Sequence, residues 1–502
     1  MPTQVAFLTV LLPKPIHKAG TLNMKIFNIT IVTLGLFAML RILIGIFLAN
    51  LHQIKTNNNN QQTRHQLVTK SIKGQTNAYC KAHPYLAALK LAFGIKALPK
   101  GAKQIENRAQ GIVNSNKLAY YPLMSVVIPA YNEQKTIKGC VTSVLNQRYP
   151  NRQIIVVDDG STDNTPKILD QLQADFTKNS SQYYDFESNI KPEDRLIIVH
   201  QPNGGKSIAL NHGIKEFAKG EIITVLDSDS TLAPDALLRM SQHFKDPKTL
   251  AMADNVRIAY PKKIIEHIQE FEYLLGYRLK GSEEILGLEY IIGGIGSCFR
   301  RWALEEVGYY DTDTVTEDID LTMKMLNHFG NIKYRFGYAE DVIAYTPPVH
   351  YFNQLLKQRY RWKYGRFKSL FKYHQMMFSK DTKKYTRTLS WWKLPKVFFE
   401  EFMMLVDPLL LGWAIWLAVH YFDLTTFTTL VLLYFTFGVA SVLPEKMPVK
   451  QQAYLILLSP FAVLMLYVIN VVDYISLIHC LINMKKIAKN TDQRAGWVHV
   501  DR

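Results

Sequence analysis

The chain has 502 residues, of which 48% are hydrophobic and 12% aromatic, and its 59 Lys and Arg against 42 Asp and Glu give a formal net charge of +17. That is too long for one average domain, and the apolar residues are spread unevenly, as in a soluble domain joined to membrane segments. The basic balance asks for an anionic partner, and with no nucleic-acid motif in the chain, anionic lipid and an anionic substrate remain. The four cysteines, Cys80, Cys140, Cys298 and Cys480, form no CxxC pair and no metal-spaced cluster with His, which argues against zinc and disulfide frameworks and fits a reducing compartment.

Residues 1–27 read as an N-terminal tail. Residues 28–50, NITIVTLGLFAMLRILIGIFLAN, carry one charge, Arg41, and are long enough to cross a bilayer of about 30 Å. The run is long for a cleaved leader and no A-x-A site follows, so an uncleaved anchor is expected. Residues 51–120 hold eleven Lys and Arg and one acid, Glu106, with NNNNQQ at 57–62 as a flexible linker. Positive flanks stay cytoplasmic, which places the next domain on that side.

From 121 to 348 the texture changes. MSVVIPA (124–130), RQIIVVDD (152–159), RLIIVH (195–200) and GEIITVLDSD (220–229) are short β-branched runs, separated by helical patterns such as 134–147 and 163–175. This alternation predicts an α/β domain with a parallel sheet and covering helices, whose ligands sit at the carboxyl ends of the strands. Residues 349–395 are basic and aromatic and read as amphipathic helices at the membrane interface. Residues 396–484 return to membrane texture, with candidate spans at roughly 401–421, 425–443 and 453–482; the last exceeds one span and contains Asp473. The basic tail, 485–502, favours a cytoplasmic C-terminus, whereas three crossings would place it outside.

Several short stretches carry chemistry. Tyr131 and Glu133 end the first strand and Asp159 the second, where a ring and carboxylates could hold a nucleoside; Asp, Gly, Ser and Asn there are equally ordinary turn and cap residues, and Asp163 reads as a helix cap. Asn203-Gly204-Gly205-Lys206 could bring backbone and charge to a phosphate. In LDSDS, Asp227 and Asp229 follow an apolar strand, and alternation along an extended chain would turn both carboxylates toward one cation, Mg²⁺ or Mn²⁺. The 293–301 stretch, with Gly294 and Ser297, reads as a glycine-rich turn approaching a sugar acceptor or as a tight turn alone. Thr316-Glu317-Asp318 opens a helix that stops near Gly330; acids in a first turn are commonplace, and burial could raise a carboxyl pKa there against the helix dipole. In QRYRW (358–362), Gln358, Arg361 and Trp362 share a helical face, suited either to the membrane surface or to clamping an anionic leaving group.

Taken together, IPAYNE, VVDDGSTDNT, NGGKSIALN, DSD, GGIGSCFRR, TED and QRYRW, in that order over roughly residues 124–365, resemble the family 2 glycosyltransferases, specifically the membrane-embedded processive synthases. NGGK and the tail RAGWVHVDR look most like the bacterial poly-β-1,6-N-acetylglucosamine synthases; chitin-oligosaccharide and hyaluronan synthases are near relatives. One clear N-terminal span and a long 51–120 linker depart from the pattern. The resemblance implies a GT-A, Rossmann-like cytosolic domain flanked by transmembrane helices, in a multi-pass protein of the bacterial inner membrane. It implies inverting transfer from a UDP-sugar to a growing polysaccharide. Tyr131, Glu133, Asp159, Lys206, Asp227, Gln358, Arg361 and Trp362 would hold the donor. Gly294, Ser297, Glu317 and Trp362 would meet the acceptor, Asp229 would bind the metal, and Asp318 would be the general base. Membrane lipid and a small membrane subunit are the partners expected besides the sugars, and nucleic acid is not. Intact DSD, TED and QRYRW disfavour a degenerate scaffold; a single-transfer enzyme and other family 2 synthases are the alternatives.

Overall fold

Two strands made wholly of buried residues, β1 (Met124–Ala130) and β2 (Arg152–Asp159), lie side by side in the sheet. Both faces are covered, which is why their sequences run almost continuously apolar instead of alternating; each buried Val or Ile contributes about 1.5–3 kcal/mol. A computed structural model describes residues 120–183, 190–401 and 447–489, with isolated positions at 44–49, 403–408 and 435–445. Two compact units divide the chain, residues 121–412 with 465–502, and residues 2–120 with 413–464.

In the first unit, helices α1 (Ile137–Leu145) and α2 (Thr165–Tyr183) follow β1 and β2, and β3 (Leu196–Gln201) leads to the short α3 (Lys206–His212). After these come β4 (Ile222–Val225), β5 (Thr231–Leu232), α4 (Ala236–His243), β6 (Thr249–Ile258), the long α5 (Ile264–Ile285), β7 (Ser297–Arg300) and α6 (Arg301–Glu306). Then follow α7 (Glu317–Phe329), β8 (Arg335–Thr346) and α8 (Phe352–Lys372). The eight strands form one sheet in the order β3-β2-β1-β4-β7-β6-β8-β5.

The sheet is mixed, not parallel throughout. β3, β2, β1 and β4 are parallel, as the βαβ spacing predicts, but β7 runs antiparallel to both β4 and β6, and β5 antiparallel to β8. Ser297 to Arg300, read above as part of a glycine-rich turn, is that reversed strand. Four residues carry too little periodicity to be told from a turn, and direction is set only by pairing with β4 and β6.

Helix α8 carries QRYRW, and its Gln358, Arg359, Lys363, Lys368 and Ser369 are buried. Its cations meet carboxylates of the same unit: Arg359 with Glu272 at 2.6 Å, Lys363 with Glu401 at 2.8 Å, and Lys372 with Asp311 at 2.5 Å and Asp320 at 3.1 Å. Much of the basic character of 349–395 is therefore directed into the protein.

The apolar run 453–482 is split. Helix α9 (Val449–Leu458), in the second unit, gives way to a 3-10 turn at Ser459–Phe461, followed by α10 (Ala462–Ile482) and α11 (Met484–Lys489). Among the described residues one helix, Met465–Ile482, is long and apolar enough to cross a membrane. Most of 28–50, 401–421 and 425–443, the whole linker 51–119 and the end of the basic tail lie outside the described residues. Leu477 and Cys480 of α10 and Ile487 of α11 pack with Tyr364 and Phe367 of α8.

Candidate active site

The carboxyl ends of β1 and β2 and the loop after β3 are tied into one edge. Asn132 donates its backbone N–H to Ser161 Oγ at 2.9 Å and accepts from the Thr162 N–H at 2.8 Å. Glu133 donates its N–H to Thr165 Oγ1, and Asp163 accepts from the Thr165 N–H at 2.9 Å, a cap on α2 as expected. Asp159 is buried. Its two carboxylate oxygens accept the backbone N–H groups of Gly204 and Gly205, each at 2.8 Å, and one also accepts Gln201 Nε2 at 2.7 Å. Asp159 thus holds the NGGK loop. The close approach requires Gly160, whose φ is 74° and whose missing Cβ would fall 2.7 Å from the Asn203 nitrogen.

That loop delivers Lys206. Its ammonium lies 2.7 Å from Asp227 Oδ1 and 2.6 Å from Glu317 Oε1. Burial alone would lower its pKa; Asp227, then Glu317 and Asp318, outweigh this and hold it above the ordinary lysine value. Gly294 borders the same point: a Cβ there would stand 3.5 Å from Lys206 Nζ, 3.7 Å from Asp318 Oδ2 and 3.7 Å from Glu317 Oε1. Five residues scattered over the sequence, Lys206, Asp227, Gly294, Glu317 and Asp318, therefore share one locus. Burial, then the neighbouring Glu317, push the Asp318 carboxyl up to about 6, against the opposing pull of Lys206 and of the Ile319 N–H that it accepts at 2.9 Å.

The DSD motif is not extended. β4 ends at Val225, and Asp227 to Ser230 form a turn closed by the Ser230 N–H on the Asp227 carbonyl at 2.9 Å. Strand alternation therefore does not orient the two acids. Asp227 turns to Lys206, and Asp229 accepts Ser230 Oγ at 2.8 Å. Both belong to one neighbourhood even so: burial, then Asp229, Asp227 and Glu133, raise the buried Cys140 thiol well above its usual range. Among the described residues no group of three or more His, Cys, Asp or Glu gathers as a complete metal cage. One or two carboxylates with substrate phosphates are the usual Mg²⁺ arrangement, and Asp229 with Asp227 fits that donor set.

Ser297 is fully buried, and its hydroxyl donates to the Gly293 carbonyl, so it closes the 293–297 loop from beneath. Gln358 is buried on α8, while Arg361 and Trp362 are half-buried. The Trp362 ring carries the Arg359 guanidinium 4.5 Å from its centroid. Arg361 forms no ion pair among the described residues, unlike Arg359, Lys363, Arg366 and Lys372 of the same helix. Motif reading missed Asp254, a buried carboxyl beneath Gly296 whose Oδ2 has no hydrogen-bond partner among the described residues. It also missed Gln201, whose side chain reaches Asp159. Neither belongs to a recognisable pattern.

A mixed sheet with loops from β1, β2 and β4 on one edge and an acidic helix start facing them defines an α/β glycosyltransferase domain of the GT-A-like kind. Residues 125–308 match the glycosyl transferase family 2, and residues 222–483, more than half of the chain, match the glycosyl transferase family group 2. The chain belongs to the family 2 glycosyltransferases. The poly-beta-1,6-N-acetyl-D-glucosamine synthase of Staphylococcus epidermidis is 34% identical over 245 residues, 48% of this chain and 54% of that protein. Its Staphylococcus aureus counterpart is 33% identical over the same shares. The chain spans about half the length of these curated relatives. Among solved structures, the mannosyltransferase PcManGT from Pyrobaculum calidifontis in complex with GDP-Man and Mn2+ is similar over 79% of this chain and 96% of its own, at 19% identity and a TM-score of 0.45.

Proposed function

We propose that this protein is an inverting, processive synthase that polymerises N-acetylglucosamine from UDP-N-acetylglucosamine into a β-linked exopolysaccharide, poly-β-1,6-N-acetylglucosamine, and passes it across the bacterial inner membrane. The observation that carries the reading is the Lys206 bridge. It joins the donor-side DSD turn to the TED helix and sets Asp318 beside a fixed positive charge. The names of the curated relatives support the sugar and the linkage, and the apolar helix Met465–Ile482 supports membrane attachment.

In this reading Tyr131 and Glu133 lie along the nucleoside, Asp159 shapes the loop beside it, and Lys206 and Asp227 border the diphosphate. A divalent cation, Mg²⁺ or Mn²⁺, held by Asp229 would supply neutralising charge to the diphosphate. Asp318 takes the proton from the acceptor hydroxyl. The acceptor oxygen then attacks the anomeric carbon, the bond from that carbon to the phosphate oxygen breaks, and UDP departs. A carboxyl raised to about 6 is ionised at neutral pH yet basic enough to accept a proton. Arg361, free of ion pairs among the described residues, offers its planar fork to the departing diphosphate. Gly294, Glu317 and Trp362 border the acceptor.

The test is UDP release by membranes containing the full chain with Mg²⁺, across a panel of UDP-sugars, with Asp318→Asn membranes as control and the product sized on a gel. Release confined to UDP-N-acetylglucosamine and long product support the proposal. Release with another sugar, or single-sugar products, would replace it with another synthase or a single-transfer enzyme.

A further inference from the structure

Thr316 occupies the residue before α7, where a threonine side chain normally accepts a first-turn N–H and stabilises the helix. Here it makes no such bond. Its hydroxyl is buried and has no hydrogen-bond partner among the described residues, an unfavourable arrangement for a polar group. The side chain is instead turned onto Gly365 of α8. A Cβ at Gly365 would collide with Thr316 Oγ1, and would lie 2.6 Å from its Cγ2 and 2.7 Å from its Cβ. Gly365 lies four residues after Arg361 and three after Trp362, so the three share a helical face. Thr316 lies two residues before Asp318. A second tether continues the contact: Lys372, two turns beyond Gly365, reaches Asp320, one turn beyond Thr316, at 3.1 Å.

We infer that the fit of Thr316 against Gly365 fixes the distance between the TED helix start and the QRYRW face, which makes both residues positioning residues for sugar transfer. This rests on the reading of Asp318 as base and of Arg361 and Trp362 as donor and acceptor contacts. A threonine that forgoes its cap and leaves a hydroxyl unsatisfied is a local loss, and the close packing of two functional helices is what it provides. The nucleoside edge at Tyr131, Glu133 and Asp159 lies outside this contact, so turnover should fall further than UDP affinity, which loses only the diphosphate contact of Arg361.

The experiment uses membranes containing the full chain and measures UDP affinity and turnover with UDP-N-acetylglucosamine for Gly365→Ala, Thr316→Gly and the double variant. A methyl at 365 must displace the helix, and a misplacement near 1 Å costs about 100-fold in turnover. The proposal expects that loss with UDP affinity falling by no more than about tenfold, the share carried by the Arg361 contact to the diphosphate, and recovery of turnover by at least about tenfold when Thr316→Gly restores the space. Turnover of Gly365→Ala near the parent overturns it. So does UDP affinity falling in step with turnover, or a double variant no faster than Gly365→Ala. Asp318→Asn is measured alongside: if that variant keeps its turnover, the reading of the base has failed, whereas its loss with Gly365→Ala intact removes only the spacer.

Discussion

Lys206 Nζ lies 2.6 Å from Oε1 of Glu317, so the loop after β3 is joined directly to the first turn of α7. The same ammonium holds Asp227 at 2.7 Å. Replacing it leaves two carboxylates beside Asp318 without their cation. Lys206→Met is expected to lower stability by about 1–3 kcal/mol and UDP affinity by about tenfold or more. Thermal unfolding and UDP binding check this. An unchanged Tm would mean that the bridge is energetically idle.

Asp318 titrates from about 6, so turnover should fall about tenfold per pH unit below that value and level off above it. The same shift costs stability. Because the folded carboxyl holds its proton more tightly than the unfolded one, its contribution is most favourable below about pH 4 and is lost as pH rises to about 6. Asp318→Asn should therefore be more stable than the parent at neutral pH, by about 1–2 kcal/mol once the partial exposure of the site and the pull of Lys206 are allowed for. The difference should vanish in acid, while turnover drops by about 100-fold or more. A variant no more stable at pH 7 would contradict the raised pKa.

Asp159 accepts two backbone N–H groups and one amide from the NGGK loop. Asp159→Ala strands these donors and should cost about 2–4 kcal/mol, with UDP affinity falling as the loop loosens. Asp159→Asn keeps one accepting oxygen and should fall between the two. If Asp159 acted only as a direct nucleoside ligand, affinity would drop in Asp159→Ala while Tm stayed at the parent value.

Binding of UDP should raise Tm more with Mg²⁺ or Mn²⁺ than with a chelator, since a ligand stabilises in proportion to its affinity for the folded state. Asp229→Asn should abolish that difference while leaving the effect of UDP alone in place. Equal shifts with and without the cation would remove the metal from the donor site.

Sequence patterns were most informative where the relevant forces are local. The apolar runs of β1 and β2, the cap role of Asp163 and the helix from TED to Gly330 are set by neighbours within a few residues. The orientation of the DSD acids was not legible, because a turn at Asp227 replaces the extended chain assumed for alternation. Ser297 reads as part of a glycine-rich turn and is the buried start of a strand whose direction comes from pairing. The lysines and arginines of α8 resemble a lipid-facing set, yet several are bound by Glu272, Glu401, Asp311 and Asp320. Composition reports how many charges a helix carries, not what stands opposite them.

By itself the sequence determined the order of the motifs, the α/β character of the domain, and which residue types were available for a sugar-nucleotide site. Periodicity and propensity act within one element, and they locate a side chain only relative to its own helix or strand. Only the tertiary structure decided that Lys206 stands between Asp227 and Glu317, that Asp318 is half-buried beside them, and that Thr316 meets Gly365. Each of those pairings joins separate elements of the fold, and they exist because the mixed sheet and the packing of α7 against α8 bring distant segments within a few ångströms.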